Sequence, residues 1–263
     1  MTQFGVSQPV RRTEDVRFVT GRGRFVDDID PPGQAHGVVV RAPHAHALIR
    51  MIDVSAAAAA PGVVAVITGA ELDEAGANAL PCLAPVGNSI DVPRPVLCTK
   101  RVCHVGDAVA FVVADTLAHA KDAAELVAVD YRPLAAVVDT ATAHARGQPQ
   151  IHDRAKGNRC FDWRHGDARA VKKAFSAAAH VVGLDIVNNR LIGHAMETRG
   201  ALAEPGPGKD RMTLTVCTQG GWLVRDVIAE SVLKVAPESL RVITPDVGGG
   251  FGIKIFPYPE YAL

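Results

Sequence analysis

Charge of one sign is the first thing missing from this sequence. Its 263 residues hold 28 Lys+Arg and 28 Asp+Glu, a net charge of zero. Nucleic acids and acidic membranes are bound through a cationic excess or stripe, and none is present. Long apolar runs are missing too. No stretch approaches the roughly 20 residues that span a bilayer. The start, Met-Thr-Gln-Phe-Gly-Val-Ser-Gln, has no cationic region followed by an apolar core, so no secretory signal is visible. The chain therefore reads as cytoplasmic. Cysteine is sparse: Cys82, Cys98, Cys103, Cys160 and Cys217. An odd, scattered set makes no disulfide framework. Without a Cys-x-x-Cys pair the chain is a poor holder of zinc or an iron–sulfur cluster, and Cys98 and Cys103 read as ordinary semi-buried thiols. Neither Gly-x-Ser-x-Gly nor His-Glu-x-x-His occurs.

What is present is a glycine loop. Leu240-Arg-Val-Ile-Thr-Pro-Asp-Val-Gly-Gly-Gly-Phe-Gly-Ile-Lys254 runs from an apolar strand into Gly248, Gly249, Gly250, Phe251 and Gly252. Glycine lets a backbone approach a ligand closely, and successive N–H groups at such a turn form an anion-binding concavity. Two common glycine loops do not fit. A Walker loop needs Gly-Lys-Ser/Thr, whereas Ile253 precedes Lys254 and Ile255 follows it. A dinucleotide fingerprint opens into a helix, whereas Pro257 and Pro259 follow here. A tight turn that only reverses the chain remains the bland alternative.

The length suits two ordinary domains or one large one, and 48% hydrophobic residues suffice for a sizeable core. Residues 1–35 are polar and read as an arm wrapping a neighbour. Val38–Arg41 and Val63–Thr68 are of strand length, and the apolar run Ala108–Ala114 reads as a strand buried on both faces. Asp115 or Thr116 caps a helix to about Leu126, with Leu117, Ala120 and Ala124 on one face, and Val127–Tyr131 returns as a strand. Together these predict a β-α-β unit. The run Ala56–Ala60, stopped by Pro61-Gly62, predicts a short helix after Asp53 or Ser55. Residues 133–160 carry loop chemistry, and a domain boundary is placed there. Asp167 caps a helix bearing Val171 and Phe175. Val181–Asn188 and Met212–Thr218 alternate like half-buried strands, and Glu204–Asp210 is a hairpin turn. A helix over Leu223–Val235 sets Val224, Ile228, Val232 and Val235 inward, pairs Glu230 with Lys234 outside, and ends at Pro237.

Gly248-Gly-Gly-Phe-Gly-Ile-Lys254 resembles the cofactor loop of the molybdopterin-binding large subunits of the xanthine dehydrogenase family, which includes aldehyde oxidases and aerobic carbon monoxide dehydrogenases. Ile253 is a mild departure from a small residue. Val216-Cys-Thr-Gln-Gly220 is similar to the family's Ser/Thr-Gln segment. In the same order as in the family come Arg12–Asp15 with Gly21–Asp28, Val40–Ala47, Pro61–Gly69, Val105–Ala110, Val129–Leu134 and Met196–Gly200. Leu134-Ala135 departs from the usual Leu-Pro.

The resemblance implies an α/β (mixed α+β) fold: an arm over 1–35, an α/β-hammerhead-like domain over 36–140, a linker over 141–160, and the first part of a molybdopterin-binding domain over 161–263. It implies a molybdenum hydroxylase large-subunit segment, oxidising an aldehyde, an N-heterocycle or carbon monoxide with oxygen from water. The cofactor implied is molybdenum-molybdopterin, in its cytosine dinucleotide form. Its partners would be an FAD-binding medium subunit, a [2Fe-2S] small subunit, a carboxy-terminal portion of the large subunit and a small-molecule substrate. Cofactor-binding residues carried over are Gln219, Gly220, Gly249, Gly250, Phe251 and Gly252. The Gln219 amide is expected to meet an oxygen of the metal centre; a local backbone bond at a helix start is the alternative. The Phe251 amide is expected to face the cofactor, while its ring can serve as a hydrophobic plug. Lys254 either offsets cofactor phosphate charge or is a solvated loop lysine. His44 and His46 share a strand face and read as structural. Glu197 and Arg199 are expected to pair in a surface or interface turn. No catalytic residue is assigned, because the family's glutamate base belongs to later segments; the chain ends about one turn into a helix. Val216, Phe251, Phe256 and Tyr261 are expected to be partly uncovered, and an isolated chain is expected to be inactive. A non-catalytic fragment or assembly partner is the alternative function.

Overall fold

The computed structural model describes residues 9–83, 87–92, 94–206, 208 and 211–263. The leading half contains α1 (Asp15–Val19), β1 (His36–Arg41), β2 (Ala47–Asp53), α2 (Ser55–Ala58), β3 (Val63–Thr68) and α3 (Gly69–Glu74). It continues with β4 (Arg101–Val102), β5 (Ala108–Ala114), α4 (Leu117–Glu125) and β6 (Ala128–Pro133). The rest holds α5 (Ala168–Ala177), β7 (Ala201–Pro205), β8 (Met212–Val216), α6 (Gly221–Asp226) and β9 (Leu240–Ile243).

The mixed α+β architecture rests on three small sheets, ordered β1-β5-β3, β4-β2-β6 and β7-β8-β9. The apolar run at Ala108–Ala114 makes β5 the centre of the first sheet, antiparallel to both neighbours. Gly37 faces Phe111 there, and a Cβ on Gly37 would lie 2.2 Å from the ring. Thr116 caps α4 by accepting from the His119 N–H at 3.2 Å. Ala120 and Ala123 are buried and let α4 lie close to the sheet, whereas Leu117 is 46% exposed. The buried face is thus rotated from the one expected, which had Leu117 and Ala124. The expected β-α-β unit is also corrected: β6 pairs with β2 in the second sheet, so α4 connects two sheets rather than two parallel strands. The alanine run forms α2, with Asp53 Oδ1 accepting from the Ser55 N–H at 2.9 Å.

In the third sheet β7 and β8 form an antiparallel hairpin, while β8 and β9 are parallel and joined through α6. The expected turn Glu204–Asp210 includes residues 207, 209 and 210, which lie outside the described residues. After α6 the chain widens into a π-helical stretch, Val227–Leu233, and stops at Lys234 in the left-handed region (φ 58). Val224, Ile228 and Val232 are buried as expected, but Val235 is 41% exposed because the helix has already ended. The Glu230–Lys234 pair does not form; Lys234 Nζ donates to the Ser231 carbonyl at 2.6 Å instead. One core joins both halves: Leu80, Val96, Leu97 and Ala108 pack with Val216, Ile228, Leu240 and Tyr261.

Two apolar segments find no cover among the described residues. Val181–Asn188 forms no strand, and Val182, Leu184, Ile186 and Val187 are exposed, because no described strand lies beside them to complete a ladder. Asp167 caps α5 as expected, accepting from the Arg169 and Ala170 N–H groups at 2.9 Å. No residue of α5 is buried, Val171 and Phe175 included. Pro259–Tyr261 is a 3₁₀ turn rather than the opening of an α-helix, since prolines at 257 and 259 withhold backbone donors. The described part of the arm packs on its own chain. Arg17 pairs with Asp246, and the Arg24 N–H donates to Asp246 Oδ2 at 2.7 Å.

Candidate cofactor site

The glycine loop follows β9 through Asp246, which the arm holds through Arg17 and Arg24. Gly249 and Gly252 have φ values of 106° and 82°, where a side chain would be strained. Phe251 also lies in the left-handed region, at φ 50°, a costly place for an aromatic residue. Across these turns the N–H groups of Gly249, Gly250 and Phe251 donate to no acceptor among the described residues. Successive free donors of this kind can make an anion-binding concavity. The Gly252 N–H is not available in the same way, because it donates to Gln219 Oε1 at 2.9 Å.

Gln219 follows β8 and is exposed at the loop's edge. Its Oε1 accepts from Gly252 and, at 3.4 Å, from the Lys254 N–H. The backbone it bonds therefore belongs to the glycine loop, not to the start of α6. With Oε1 occupied, the Nε2 donor is the end of the amide left for a ligand. Gly250 lies directly against this side chain, and a Cβ there would sit 2.4 Å from Gln219 Cδ. Gly220 precedes α6, its N–H donating to Thr218 Oγ1 at 3.2 Å. The Phe251 side chain is 71% exposed, so it is not a plug.

Lys254 and Glu197 overturn their expectations. Lys254 is completely buried, and its Nζ lies 2.7 Å from Glu197 Oε2. It is neither solvated nor free to offset phosphate charge. Glu197 therefore does not pair with Arg199, whose guanidinium stacks over the Tyr258 ring at 3.7 Å. A signal was present: Lys254 stands among Ile253, Ile255 and Phe256, a context in which a lysine is either paired or absent. Asp246 was also missed. Hydrogen bonds from Arg17 and from the Arg24 backbone hold its carboxyl below the usual carboxylate range.

His44 and His46 lie in the turn before β2, not on a strand. His46 is buried with Nδ1 2.7 Å from the Ala135 carbonyl, and the His44 ring meets Tyr131 edge-on at 4.9 Å. Both roles are structural. All five cysteines are free, and burial pushes the Cys98 thiol up to about 12, far from reactivity. Among the described residues no group of three or more His, Cys, Asp or Glu is placed to hold a metal ion directly. No helix among them is long and apolar enough to cross a membrane. Val216 and Tyr261 are buried, contrary to expectation, because both lie in the core shared by the two halves. Phe251 and Phe256 are exposed as expected.

Residues 20–135 match the aldehyde oxidase and xanthine dehydrogenase a/b hammerhead domain, and residues 151–263 match the molybdopterin cofactor-binding domain. The chain belongs to the xanthine dehydrogenase family of molybdopterin-binding large subunits. It is 38% identical to the carbon monoxide dehydrogenase large chain of Afipia carboxidovorans, over 95% of this chain and 32% of that one. It is 37% identical to the nicotine 6-hydroxylase large subunit of Paenarthrobacter nicotinovorans, over 100% of this chain and 32% of that one. Its fold superimposes on quinoline 2-oxidoreductase from Pseudomonas putida 86 with a TM-score of 0.87 and 34% identity, covering 96% of this chain and 32% of that one. The chain thus spans about a third of the length of these relatives. The glycine loop and Gln219 lie within the stretch matched to the family's cofactor-binding domain.

Proposed function

We propose that this chain is a segment of a molybdenum hydroxylase large subunit, and that Gln219, Gly220, Gly249, Gly250, Phe251 and Gly252 line its cofactor site. The observation that carries the reading is the row of unpaired N–H groups at Gly249, Gly250 and Phe251, edged by the Gln219 amide. Those donors fit the anionic oxygens of a molybdopterin group, and the glycines leave room for close approach. When bound, that group supplies Lewis acidity and redox chemistry. The chain's own part is to bind and orient: the loop amides donate, the Gln219 Nε2 presents a further donor, and Gly252 holds Gln219 in place through its Oε1.

The substrate class is an aldehyde, an N-heterocycle or carbon monoxide, with water as the oxygen source. Support comes from relatives named as carbon monoxide dehydrogenase, nicotine 6-hydroxylase and xanthine dehydrogenase subunits. A cytosine dinucleotide form of the cofactor, FAD-binding and [2Fe-2S] partner subunits and a cytoplasmic location complete the proposal. One relative is named as a subunit of a 6-hydroxypseudooxynicotine dehydrogenase complex, which supports assembly with other chains. The division into an arm (1–35), a hammerhead-like domain (36–140), a linker (141–160) and a cofactor domain (161–263) is supported by the break between the two matched stretches, 20–135 and 151–263.

A second reading, a non-catalytic fragment or assembly partner, is favoured by the uncovered apolar surface of α5 and 181–192. Metal and pterin analysis separates the two. Molybdenum and pterin in the complex co-expressed with neighbouring genes support the enzyme. A folded, partner-bound but metal-free chain supports the alternative.

A further inference from the structure

The cofactor reading makes no use of Lys254, yet this lysine is among the most completely enclosed side chains in the molecule. Its Nζ lies 2.7 Å from Glu197 Oε2, and the same oxygen accepts from the Gly248 N–H at 2.7 Å. The Glu197 N–H donates in turn to the Gly248 carbonyl at 3.3 Å. Glu197 thus grips the first glycine of the loop with backbone and side chain together. Contact is so close that a Cβ on Gly248 would lie 2.6 Å from Glu197 Cβ. At the other end, the Lys254 carbonyl accepts from Thr218 Oγ1 at 2.8 Å and from the Gln219 N–H at 2.9 Å. One carboxylate therefore ties together the entry and the exit of the loop.

Stability alone does not account for this arrangement. Glu197 Oε1 is buried and has no partner among the described residues. An unmatched buried acceptor is unfavourable, and a well-packed apolar pair often serves a core as well as a buried ion pair does. An apolar pair cannot accept from the Gly248 N–H or link the loop's two ends. We infer that Glu197 and Lys254 are a positioning pair, setting the spacing of the Gly249, Gly250 and Phe251 amides for an anionic cofactor. The inference rests on the cofactor reading above and deepens it.

The test compares the full chain in its co-expressed complex as wild type, Lys254→Met, Glu197→Leu/Lys254→Met and Glu197→Gln/Lys254→Met. Thermal midpoint and pterin released per chain are measured for each. Lys254→Met alone leaves a buried carboxylate unpaired and lowers the midpoint. Both double variants remove that charge and recover it. The Gln double keeps an acceptor for the Gly248 N–H and retains its pterin. The Leu double does not, and holds about tenfold less, the scale set by one hydrogen bond to a loop amide. Equal pterin in the two doubles at equal midpoints overturns the inference while leaving the cofactor reading intact. If the Leu double fails to accumulate, the single Glu197→Gln variant decides. Its neutral amide keeps an acceptor for the Gly248 N–H but leaves the buried Lys254 ammonium without its counter-charge, so the midpoint falls and pterin dissociates about tenfold faster than from the wild type; an unchanged dissociation rate overturns the pair's role. A wild-type complex empty of pterin removes the cofactor reading, and the inference with it.

Discussion

At Gly250 a single methyl group would meet Gln219 Cδ at 2.4 Å. Gly250→Val therefore has to push Gln219 aside, an overpacking penalty of about 1–3 kcal/mol. It also breaks the Gln219–Gly252 contact that shapes the loop. The complex carrying Gly250→Val is expected to lose its pterin and molybdenum, whereas Ile253→Gly, at a position outside the row of unpaired amides, keeps both. Equal metal content in wild type and Gly250→Val would rule out close approach at this glycine. Gln219→Ala tests the other side of the site. It removes an amide donor and leaves the Gly252 and Lys254 N–H groups without their acceptor. The thermal midpoint should move only slightly, since a neutral hydrogen bond contributes about 1 kcal/mol. Turnover per bound molybdenum should fall about 100-fold, the usual cost of losing one donor at a reacting centre. Full turnover at full occupancy would leave Gln219 as a loop brace only.

Between α6 and β9 the helix carries the packing that places the loop. Ile228 is 1% exposed and belongs to the core shared by both halves. Ile228→Ala should cost about 2–5 kcal/mol, read as a shift in the denaturation midpoint. The arm is an element whose attachment depends on charge. Hydrogen bonds from Arg17 and Arg24 depress the Asp246 pKa, so the folded form binds its proton later than an unfolded chain does. The stabilisation is complete above the unfolded carboxylate value of about 4 and disappears as pH falls through the lower folded value. Limited proteolysis at arm residues 9–24 should be slow at pH 7 and fast near the acid end of that range. Asp246→Asn should make cleavage fast at both. Cleavage of the wild type that does not respond to pH would show that the ion pair does not hold the arm.

Whole-molecule behaviour follows from surface left bare. Val182, Leu184, Val187, Leu191, Trp222 and Phe251 are all exposed, as are Val171 and Phe175 on α5. Exposed large apolar side chains in this number mark an interaction face or an aggregation hazard. The chain also spans about a third of the length of its relatives. The isolated 263-residue chain should therefore elute as associated species on sizing chromatography and contain no molybdenum. Residues 181–192 should exchange their amide hydrogens fast when the chain is alone, and more slowly in a complex that covers them. A monodisperse, molybdenum-loaded and active chain would refute this outright.

Local chemistry was enough to read much of this protein. The apolar run at 108–114, the caps at Thr116 and Asp167, the alanine helix and the glycine loop all depend on residues close together in the chain, and each appears in the structure where the pattern placed it. The loop's character was equally open, because glycine spacing and flanking prolines are local facts. Pairing across distance was not. β6 joined a different sheet from β5 because its partner, β2, lies far away in sequence. Val181–Asn188 has the alternation of a strand but no neighbour to pair with among the described residues, and alternation cannot supply one. Lys254 looked like a loop lysine until Glu197, 57 residues earlier, was found against it. Tyr261 and Val216 were expected to be partly uncovered, but both are buried in the core that the two halves share. Periodicity and turn chemistry specify which conformations a segment favours; which side chains lose water, and which charges meet, depends on contacts that only the folded chain brings together.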